Sequence, residues 1–183
     1  MINRITSLLI LILLSPIFIS VALFIFFEDG LPIFFTQKRV GENYTFFNIY
    51  KFRSMKKNTP NVATHLLENP KQYVLKTGRI LRKLSLDELP NLINIIRGEM
   101  VFVGPRPALY NQDDLMQLRI KAGVDKLKPG ITGWAQINGR DKISLKEKVN
   151  FEKQYLERKS TWFDIKIIVL TFTSVLKSDG VKH

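Results

Sequence analysis

The chain is organised around the stretch RILRKLSLDELPNLINIIRGEMVFVGPRP, residues 79–107, which places adjacent carboxylates, Asp87 and Glu88, among basic residues. Pro90 lacks an amide hydrogen and clashes with a preceding helical turn. The helix predicted through the apolar residues that follow therefore begins within about three residues before it. Asp87 and Glu88 then fall at a helix N-terminus, where unpaired amide groups and the positive end of the macrodipole favour anions, including phosphate.

The same acid pair has a purely structural interpretation. Ser85-x-x-Glu88 fits a capping box, in which the Ser85 side chain caps the helix and Glu88 reaches back along the chain. Capping needs neither Asp87 nor the basic side chains around the pair. Those basic residues are Arg79, Arg82, Lys83 and Arg106. A cluster of positive charges around an acid pair favours an anionic ligand. The capping interpretation and the ligand interpretation are compatible.

Composition limits the class of protein. With 183 residues, 45% of them hydrophobic, the chain can bury one sizeable core, and its length favours a single domain. The formal net charge of +12 predicts an acidic partner. The basic residues are scattered among apolar ones and no zinc-finger or RNA-binding pattern is present, so we expect lipid and phosphate rather than nucleic acid. The absence of cysteine excludes disulfides, thiolate metal sites and a cysteine nucleophile.

An apolar segment occupies residues 8–27, interrupted only by Ser15, Pro16 and Ser20. A helix of this length rises about 30 Å, which just crosses the hydrocarbon core of a bilayer. Pro16 removes a mid-segment hydrogen bond at a cost of about 3 kcal/mol unless the freed carbonyl finds a donor, and Ser15 offers a hydroxyl. A straight span, a bent re-entrant hairpin and a cleaved signal peptide are the alternatives. The apolar residues 23–27 argue against cleavage.

Two short strands are predicted after the apolar segment. Residues 33–35 and 44–52 are rich in aromatic side chains and are joined through Gly41. Lys51 and Arg53 end the second strand with an alternating spacing that places both side chains on one face. Two cations on a strand are often merely solvated, so this spacing alone assigns them no role.

The second half of the chain is predicted to combine a buried strand with amphipathic helices. The strand, residues 100–103, leads into Gly104-Pro105-Arg106-Pro107, where two prolines restrict the backbone around one arginine. An arginine held in this way suits bidentate phosphate binding, although a structural salt bridge is an equally ordinary interpretation. Helices are predicted at residues 111–126 and from Ser144, which opens a capping box; residues 162–176 are apolar but short for a membrane span.

Two further stretches carry weaker signals. Residues 129–134, PGITGW, form a glycine-rich turn whose glycines permit close approach of the backbone to a ligand. This turn lacks the Lys-Ser/Thr of a P-loop, which excludes a nucleoside triphosphatase of that type. Residues 58–76 are polar with a weak helix at the centre, and the lone His65 within them is assigned no chemistry.

Four motifs in a fixed order carry a resemblance to a known family. They are KFRSM (residues 51–55), SLDELPNL (85–92), GPRP (104–107) and KPGITGWAQINGR (128–140). Together they resemble the motifs of bacterial sugar transferases, the small monotopic polyprenol-phosphate phosphoglycosyl transferases. The resemblance covers nearly the whole chain, so it is far more specific than any single motif.

The resemblance implies a fold and a location. The fold is expected to be mixed α/β, helix-rich with short strands, as a single catalytic domain. It is expected to carry an N-terminal re-entrant membrane helix-hairpin, broken at Ser15 and Pro16, and interfacial amphipathic helices. Residues 1–27 would form the hairpin and residues 28–183 the cytosolic, interfacial catalytic domain. The expected location is the cytoplasmic face of a bacterial inner membrane, with membrane lipid as a partner.

The resemblance also implies a reaction. A sugar-1-phosphate would move from a nucleotide-diphosphate sugar, expected to be a UDP-sugar, to polyprenol (undecaprenyl) phosphate, with release of nucleoside monophosphate. Asp87 would form a phosphoryl-Asp intermediate, and Glu88 would manage a proton or help to hold a metal. The implied metal is Mg²⁺, with Asp87 and Glu88 as ligands, because a carboxylate approaching a diphosphate needs cations to offset like charges. The expected phosphate- and substrate-binding residues are Lys51, Arg82, Arg106 and Arg140.

Two other functions stay open at this point. A conventional membrane glycosyltransferase would transfer the sugar alone and release nucleoside diphosphate. A non-catalytic basic scaffold that binds anionic lipid or nucleic acid would explain the charge and the apolar segment. The scaffold, however, leaves the Asp87–Glu88 pair without a task.

Overall fold

The structure of the protein is a computed structural model, and it describes residues 1–60, 69–139 and 143–176. Its helices are α1 (Ile2–Leu13), α2 (Ser15–Asp29), α3 (Pro70–Tyr73), α4 (Lys76–Lys83), α5 (Asn91–Arg97), α6 (Asp113–Lys121), α7 (Trp134–Ile137), α8 (Leu145–Arg158) and α9 (Thr161–Leu176). Its strands are β1 (Phe34–Val40), β2 (Phe46–Phe52), β3 (Val101–Val103), β4 (Ala108–Leu109) and β5 (Gly130–Thr132). The predicted mixed α/β fold, helix-rich with short strands, is confirmed.

The N-terminal apolar segment is a bent pair of helices. The axes of α1 and α2 differ by 62°, and Pro16 lies in the first turn of α2, where a helix does not need the missing amide. The bend predicted at Ser15 and Pro16 is therefore confirmed. Within α2 the Ser20 hydroxyl donates to the Pro16 carbonyl at 2.8 Å. Among the described residues no single helix is long and apolar enough to cross a membrane, and only this bent pair qualifies by length and composition.

Both arms of the bent pair pack on the rest of the protein. In α1, Ser7 is buried and its hydroxyl donates to the Leu92 carbonyl in α5 at 2.9 Å. In α2, Val21 and Ile25 are buried in a cluster with Phe52 of β2 and with side chains around α4. The two arms consequently rest against one body.

Two small sheets complete the framework. In the first, β1 lies between β2 and β4 and pairs antiparallel with both. Val40 faces Phe46 across the turn, so the prediction of two strands joined through Gly41 is confirmed, with the first strand extending further than expected. In the second sheet β3 and β5 run parallel, and β3 confirms the short strand predicted at residues 100–103.

The glycines of residues 129–134 were expected to permit a ligand to approach the backbone, but they contact another segment of this chain. The stretch forms β5 and the start of α7, and it packs backbone to backbone on the end of β3. A Cβ atom on Gly130 would lie 2.1 Å from the Gly104 nitrogen, and one on Gly133 would lie 2.1 Å from the Gly104 oxygen. The glycines thus permit two segments of this chain to approach each other.

The C-terminal helices cover the second sheet. Tyr155 of α8 and Phe163 and Ile167 of α9 are buried in one cluster with Val103 of β3. The capping box predicted at Ser144 is confirmed, since its hydroxyl accepts from the Glu147 amide and the Glu147 carboxylate accepts from the Ser144 amide. The helix predicted at residues 111–126 is shorter than expected, because it ends at Lys121 and a separate 3-10 turn spans Val124–Lys126.

Candidate active site

The acid pair lies in a 3-10 turn, Leu86–Glu88, between α4 and α5. The expected helix start is wrong, because α5 begins at Asn91, after Pro90 rather than before it. The capping box proposed for Ser85 is also wrong. Ser85 adopts a left-handed conformation, with φ of 56°, and its side chain makes no capping hydrogen bond. The Glu88 carboxylate instead accepts hydrogen bonds from basic residues that are distant in the sequence.

Glu88 is anchored by two basic residues. Lys51 Nζ of β2 donates to its Oε1 at 2.6 Å, and Arg106 Nη2 donates to the same oxygen at 3.2 Å. Burial alone would raise the pKa of Glu88, but the charges of Arg106 and Lys51 outweigh it and lower the pKa to about 2. Glu88 is therefore ionised throughout the physiological range and holds both cations in place.

Asp87 has the opposite environment. Burial raises the pKa of this half-buried carboxyl, Lys51 opposes that shift, and the neighbouring charge of Glu88 raises it further. In the described part of the chain, both salt bridges of this turn belong to Glu88 and neither to Asp87. Asp87 is thus the less stabilised carboxylate of the pair.

Arg82 supplies a further positive charge beside Asp87. Its Nε donates to the hydroxyl of buried Ser54 at 2.9 Å, which orients the guanidinium. Its charge lowers the pKa of Asp87, although less strongly than Lys51 does. The close approach of α4 to this segment depends on Gly78, where a Cβ would lie 2.1 Å from the Ser54 carbonyl oxygen.

The predicted site residues fall into three groups. Five of them meet at the turn: Lys51, Arg82, Asp87, Glu88 and Arg106. Ser15 and Pro16 lie at the bend of the helix pair. The last, Arg140, lies outside the described residues.

Lys51 and Arg53 were predicted to share one face, and their side chains have different partners. The strand β2 ends at Phe52, and beyond it the Arg53 amide donates to the Ile33 carbonyl at 2.9 Å. The Arg53 guanidinium instead binds the Asp29 carboxylate and the carbonyl oxygens of Pro32 and Gly30. It fixes the end of the helix pair, and these hydrogen bonds do not involve the acid pair.

Sequence reasoning missed Arg39. This residue of β1 donates from Nη1 to the Pro107 carbonyl at 3.1 Å and from Nη2 to Gln37 at 2.6 Å. Burial lowers the pKa of Arg39 to about 10; the nearby charge of Arg106 contributes in the same direction and that of Glu88 opposes it. Arg39 is therefore part of the same charge cluster.

A signal for Arg39 was present in the strand pattern. Arg39 faces Phe47 in the antiparallel register, and Phe35 faces Lys51. Side chains two residues apart share a face, so Arg39 and Lys51 lie on the same face of the β1–β2 hairpin. Extending the first predicted strand beyond residue 35 would have indicated this placement.

A small cavity adjoins the acid pair. Its lining includes Glu88, Asn91 and the two arginines Arg39 and Arg106. One carboxylate and two guanidinium groups leave this part of the site positively charged. The site therefore presents a carboxylate with a raised pKa beside cations, which is suited to an anionic substrate such as a phosphate ester.

This arrangement agrees with the class of protein that the whole chain matches. The family model for bacterial sugar transferases matches residues 1–178. The chain therefore belongs to the bacterial sugar transferase family, and the resemblance found in its motifs is confirmed.

Individual relatives cover most of this chain. EpsL of Bacillus subtilis, named as an uncharacterized sugar transferase, is 42% identical over 84% of this chain and 75% of its own length. UDP-glucose:undecaprenyl-phosphate glucose-1-phosphate transferase of Escherichia coli is 42% identical over 89% of this chain and 37% of its own length. Undecaprenyl-phosphate galactose phosphotransferase of Salmonella typhimurium is 37% identical over 95% and 39%, respectively. This chain thus spans less than half the length of the last two relatives.

Proposed function

We propose that this protein is a phosphoglycosyl transferase that moves a sugar-1-phosphate from a nucleotide-diphosphate sugar, expected to be a UDP-sugar, to polyprenol (undecaprenyl) phosphate. This would be an initiating step of surface glycoconjugate assembly. The names of two relatives, which describe transfer of a sugar phosphate to undecaprenyl phosphate, support this proposal. The observation that carries it is the contrast within the acid pair. Glu88 is anchored by two cations, whereas Asp87 is left less stabilised beside them.

In the first step Asp87 acts as the nucleophile. Its carboxylate oxygen forms a bond to the sugar-bearing phosphorus, and the bond from that phosphorus to the bridging oxygen breaks. Nucleoside monophosphate leaves with the bridging oxygen, and the sugar phosphate stays on Asp87. A carboxylate whose pKa is raised by burial is a more basic and hence stronger nucleophile while it remains ionised.

In the second step a polyprenol phosphate oxygen attacks the same phosphorus. The bond to Asp87 breaks, the carboxylate is regenerated, and polyprenol diphospho-sugar is released. Glu88, with a pKa of about 2, is a poor proton acceptor at neutral pH. This low pKa argues against the first role expected for Glu88, that of managing a proton, and leaves the second, that of helping to hold a metal.

Positive charge must offset the approach of a carboxylate to a diphosphate. At the turn, the protein's own positive charge comes from Lys51, Arg82 and Arg106. Arg39 belongs to the same charge cluster. Among the described residues no three or more metal-binding acidic, His or Cys side chains cluster together. Asp87 and Glu88 nevertheless fit Mg²⁺, which is commonly held by one or two carboxylates and completed by substrate phosphates. When bound, Mg²⁺ would neutralise charge on the diphosphate.

We also propose that residues 1–27 form a re-entrant hairpin and that residues 28–183 form the catalytic domain at the cytoplasmic face of a bacterial inner membrane. The bend supports this topology, as does the packing of both arms against one body. The outer faces of both arms are apolar and exposed, as at Leu9, Ile12 and Phe24. A polyprenol tail would stay in the lipid while its phosphate reaches Asp87 at the headgroup level.

Product identification tests the reaction. Purified protein, Mg²⁺ and polyprenol phosphate are incubated with a panel of nucleotide sugars, and the released nucleotide is identified. We expect nucleoside monophosphate, together with a phosphosugar adduct on Asp87 detectable by mass spectrometry. Release of nucleoside diphosphate would show a glycosyltransferase instead. Absence of any product with every donor would favour the scaffold.

Cysteine labelling tests the topology. The chain has no native cysteine, so single cysteines at exposed Asn3 and Leu31 can be probed in intact cells with a membrane-impermeant thiol reagent. We expect both positions to be protected from outside, because basic residues near both ends favour the cytosolic side. Labelling of position 3 with protection of position 31 would show a straight span.

A further inference from the structure

A buried ion pair lies next to the Gly-Pro-Arg-Pro segment. Arg119 of α6 donates from Nε to Glu152 Oε2 of α8 at 2.8 Å and from Nη2 to Oε1 at 2.5 Å. Their side chains are only 6% and 1% exposed. Removing two charges from water offsets most of their mutual attraction, so an apolar pair of similar volume commonly gives equal or greater stability. Fold stability alone does not account for this pair.

The pair also binds the backbone of the active-site segment. Arg119 Nη2 donates a third hydrogen bond, to the Arg106 carbonyl at 2.9 Å. The next carbonyl along the chain, that of Pro107, accepts from Arg39 Nη1 at 3.1 Å. Pro105 and Pro107 have no amide hydrogen, so this segment can donate few backbone hydrogen bonds of its own. The Gly130 amide donates to the Pro105 carbonyl at 2.9 Å, and guanidinium groups from α6 and β1 bind the next two carbonyls.

The backbone position of Arg106 decides where its charge lies. The Arg106 side chain is 44% exposed, and its Nη2 reaches Glu88 at 3.2 Å. Such a long and partly solvated side chain retains its direction only if its backbone is fixed. Because Glu152 neutralises Arg119, the pair adds no net charge to the site. The pair therefore acts on the site by fixing the position of the Arg106 backbone.

We propose that the Arg119–Glu152 pair is a positioning device that holds the Arg106 carbonyl and thereby aims the Arg106 guanidinium at the acid pair. The proposal rests on the proposed function for its catalytic consequence. Glu152 orients the Arg119 guanidinium, and the second hydrogen of Arg119 Nη2 binds the Arg106 carbonyl. Neither residue touches substrate, so both are positioning residues.

The test replaces the pair as a unit. Arg119→Met with Glu152→Leu removes both buried charges and keeps similar volume, so the thermal unfolding temperature should fall little or rise. The turnover rate should nevertheless fall about 10- to 100-fold, because misplacement of a positioned group by about 1 Å has this order of effect. Arg119→Lys is a second variant, since its ammonium keeps the charge opposite Glu152 but cannot fork to both partners.

A double-mutant cycle separates positioning from general damage. In an Arg106→Ala background the paired substitution should cost less than about twofold, because the side chain that it positions is already gone. Equal losses in both backgrounds would overturn the proposal. Thr171→Val is the control: it removes the Thr171 hydroxyl's hydrogen bonds to the Thr132 hydroxyl and to the Ile167 carbonyl but leaves the bonds to the Arg106 and Pro107 carbonyls, so the rate should stay unchanged.

Amide hydrogen exchange provides a readout that needs no activity. The tether predicts about tenfold faster exchange of the amides of Gly104, Arg106, Ala108 and Leu109 in the paired variant, with the exchange of β2 unchanged. Unchanged exchange at these four amides would overturn the proposal whether or not the enzyme is active. A wild type that transfers nothing would instead remove the proposed function, while faster exchange in the variant would still support the tether.

Discussion

Two of the pairs of adjacent acids in this chain, Glu28–Asp29 at the end of α2 and Asp87–Glu88 in the turn before α5, have different environments. At the end of α2, Glu28 accepts from the amides of Lys76 and Thr77 at 2.5 and 2.9 Å, which caps the start of α4. Asp29 accepts from the Arg53 guanidinium and from the Lys57 amide. In the turn before α5, by contrast, only Glu88 of the Asp87–Glu88 pair has ion-pair partners among the described residues.

The pKa directions express the same difference. Burial opposes ionisation of Glu28, but hydrogen bonds from Thr77 and Lys76 together outweigh it and lower its pKa. Burial likewise opposes ionisation of Asp29, and Arg53 and Lys57 outweigh it. Asp87 is the exception, because burial dominates and its pKa is raised. An acid pair in which both carboxylates have hydrogen-bond or ion-pair partners stabilises the fold, whereas a carboxylate with a raised pKa is a candidate catalytic residue.

The largest expected effect is that of Asp87→Asn. An amide is not a usable nucleophile, so the transfer rate should fall by about 10³-fold or more. Because the folded state raises the pKa of Asp87, ionisation at neutral pH costs folding free energy, and the amide removes that cost. The thermal unfolding temperature should therefore stay equal or rise. Full activity in this variant would contradict the covalent scheme.

Glu88→Gln should slow transfer about 10²-fold while leaving substrate binding measurable. The thermal unfolding temperature of Glu88→Gln should fall, whereas that of Asp87→Asn should stay equal or rise. The folded state lowers the pKa of Glu88 to about 2, so its ionised form stabilises the fold at neutral pH and the amide cannot replace it. Thermal unfolding of the two variants side by side checks the contrast, and equal shifts would show that the two acids are equivalent.

Arg106→Lys should lower the transfer rate about tenfold, because an ammonium keeps the charge but loses the planar fork for phosphate. Lys51→Arg is the matched exchange in the other direction at the same Glu88 oxygen. Steady-state rates over a range of salt concentrations show whether the loss of rate comes from hydrogen-bond geometry or from charge, because salt screens only the charge. An unchanged rate for Arg106→Lys would assign that residue to the structural salt bridge.

Glu28→Gln should have the smallest effect, a loss of about 1 kcal/mol of folding free energy with transfer nearly unchanged, as for the loss of a helix cap. The folded state lowers the pKa of Glu28, so its stabilisation is present above the unfolded pKa and is lost as pH falls through the folded pKa. Denaturant unfolding at neutral and strongly acidic pH checks this. The difference between wild type and variant should vanish in acid, and persistence there would show a role other than capping.

The local features of the fold were predictable because short-range chemistry decides them. The bend at Pro16, the β1–β2 hairpin and the capped start of α8 each depend on residues within a few positions of one another. The motif order also identified the acid pair and three of the cations around it. Arg39 was missed because the predicted first strand stopped at residue 35, before the positions that reach the site.

The contrast between two identical patterns shows what only the tertiary structure decided. Ser144-x-x-Glu147 forms the capping box that its sequence predicts, whereas Ser85-x-x-Glu88 does not. The difference does not lie in the pattern itself. Folding brings Lys51 and Arg106, 37 and 18 residues away, to the Glu88 carboxylate, and two charged donors bind it more strongly than one backbone amide.

The sequence by itself therefore determined the family, the helix-rich α/β class, the bent N-terminal pair and the identity of the acid pair. The tertiary structure decided which of the two acids is anchored by salt bridges and which has none among the described residues, and it joined Arg119 to Glu152 beside the Arg106 carbonyl. The physical reason is distance along the chain. Capping and turn propensities act within one turn, whereas burial and charge pairing depend on partners that only folding brings together.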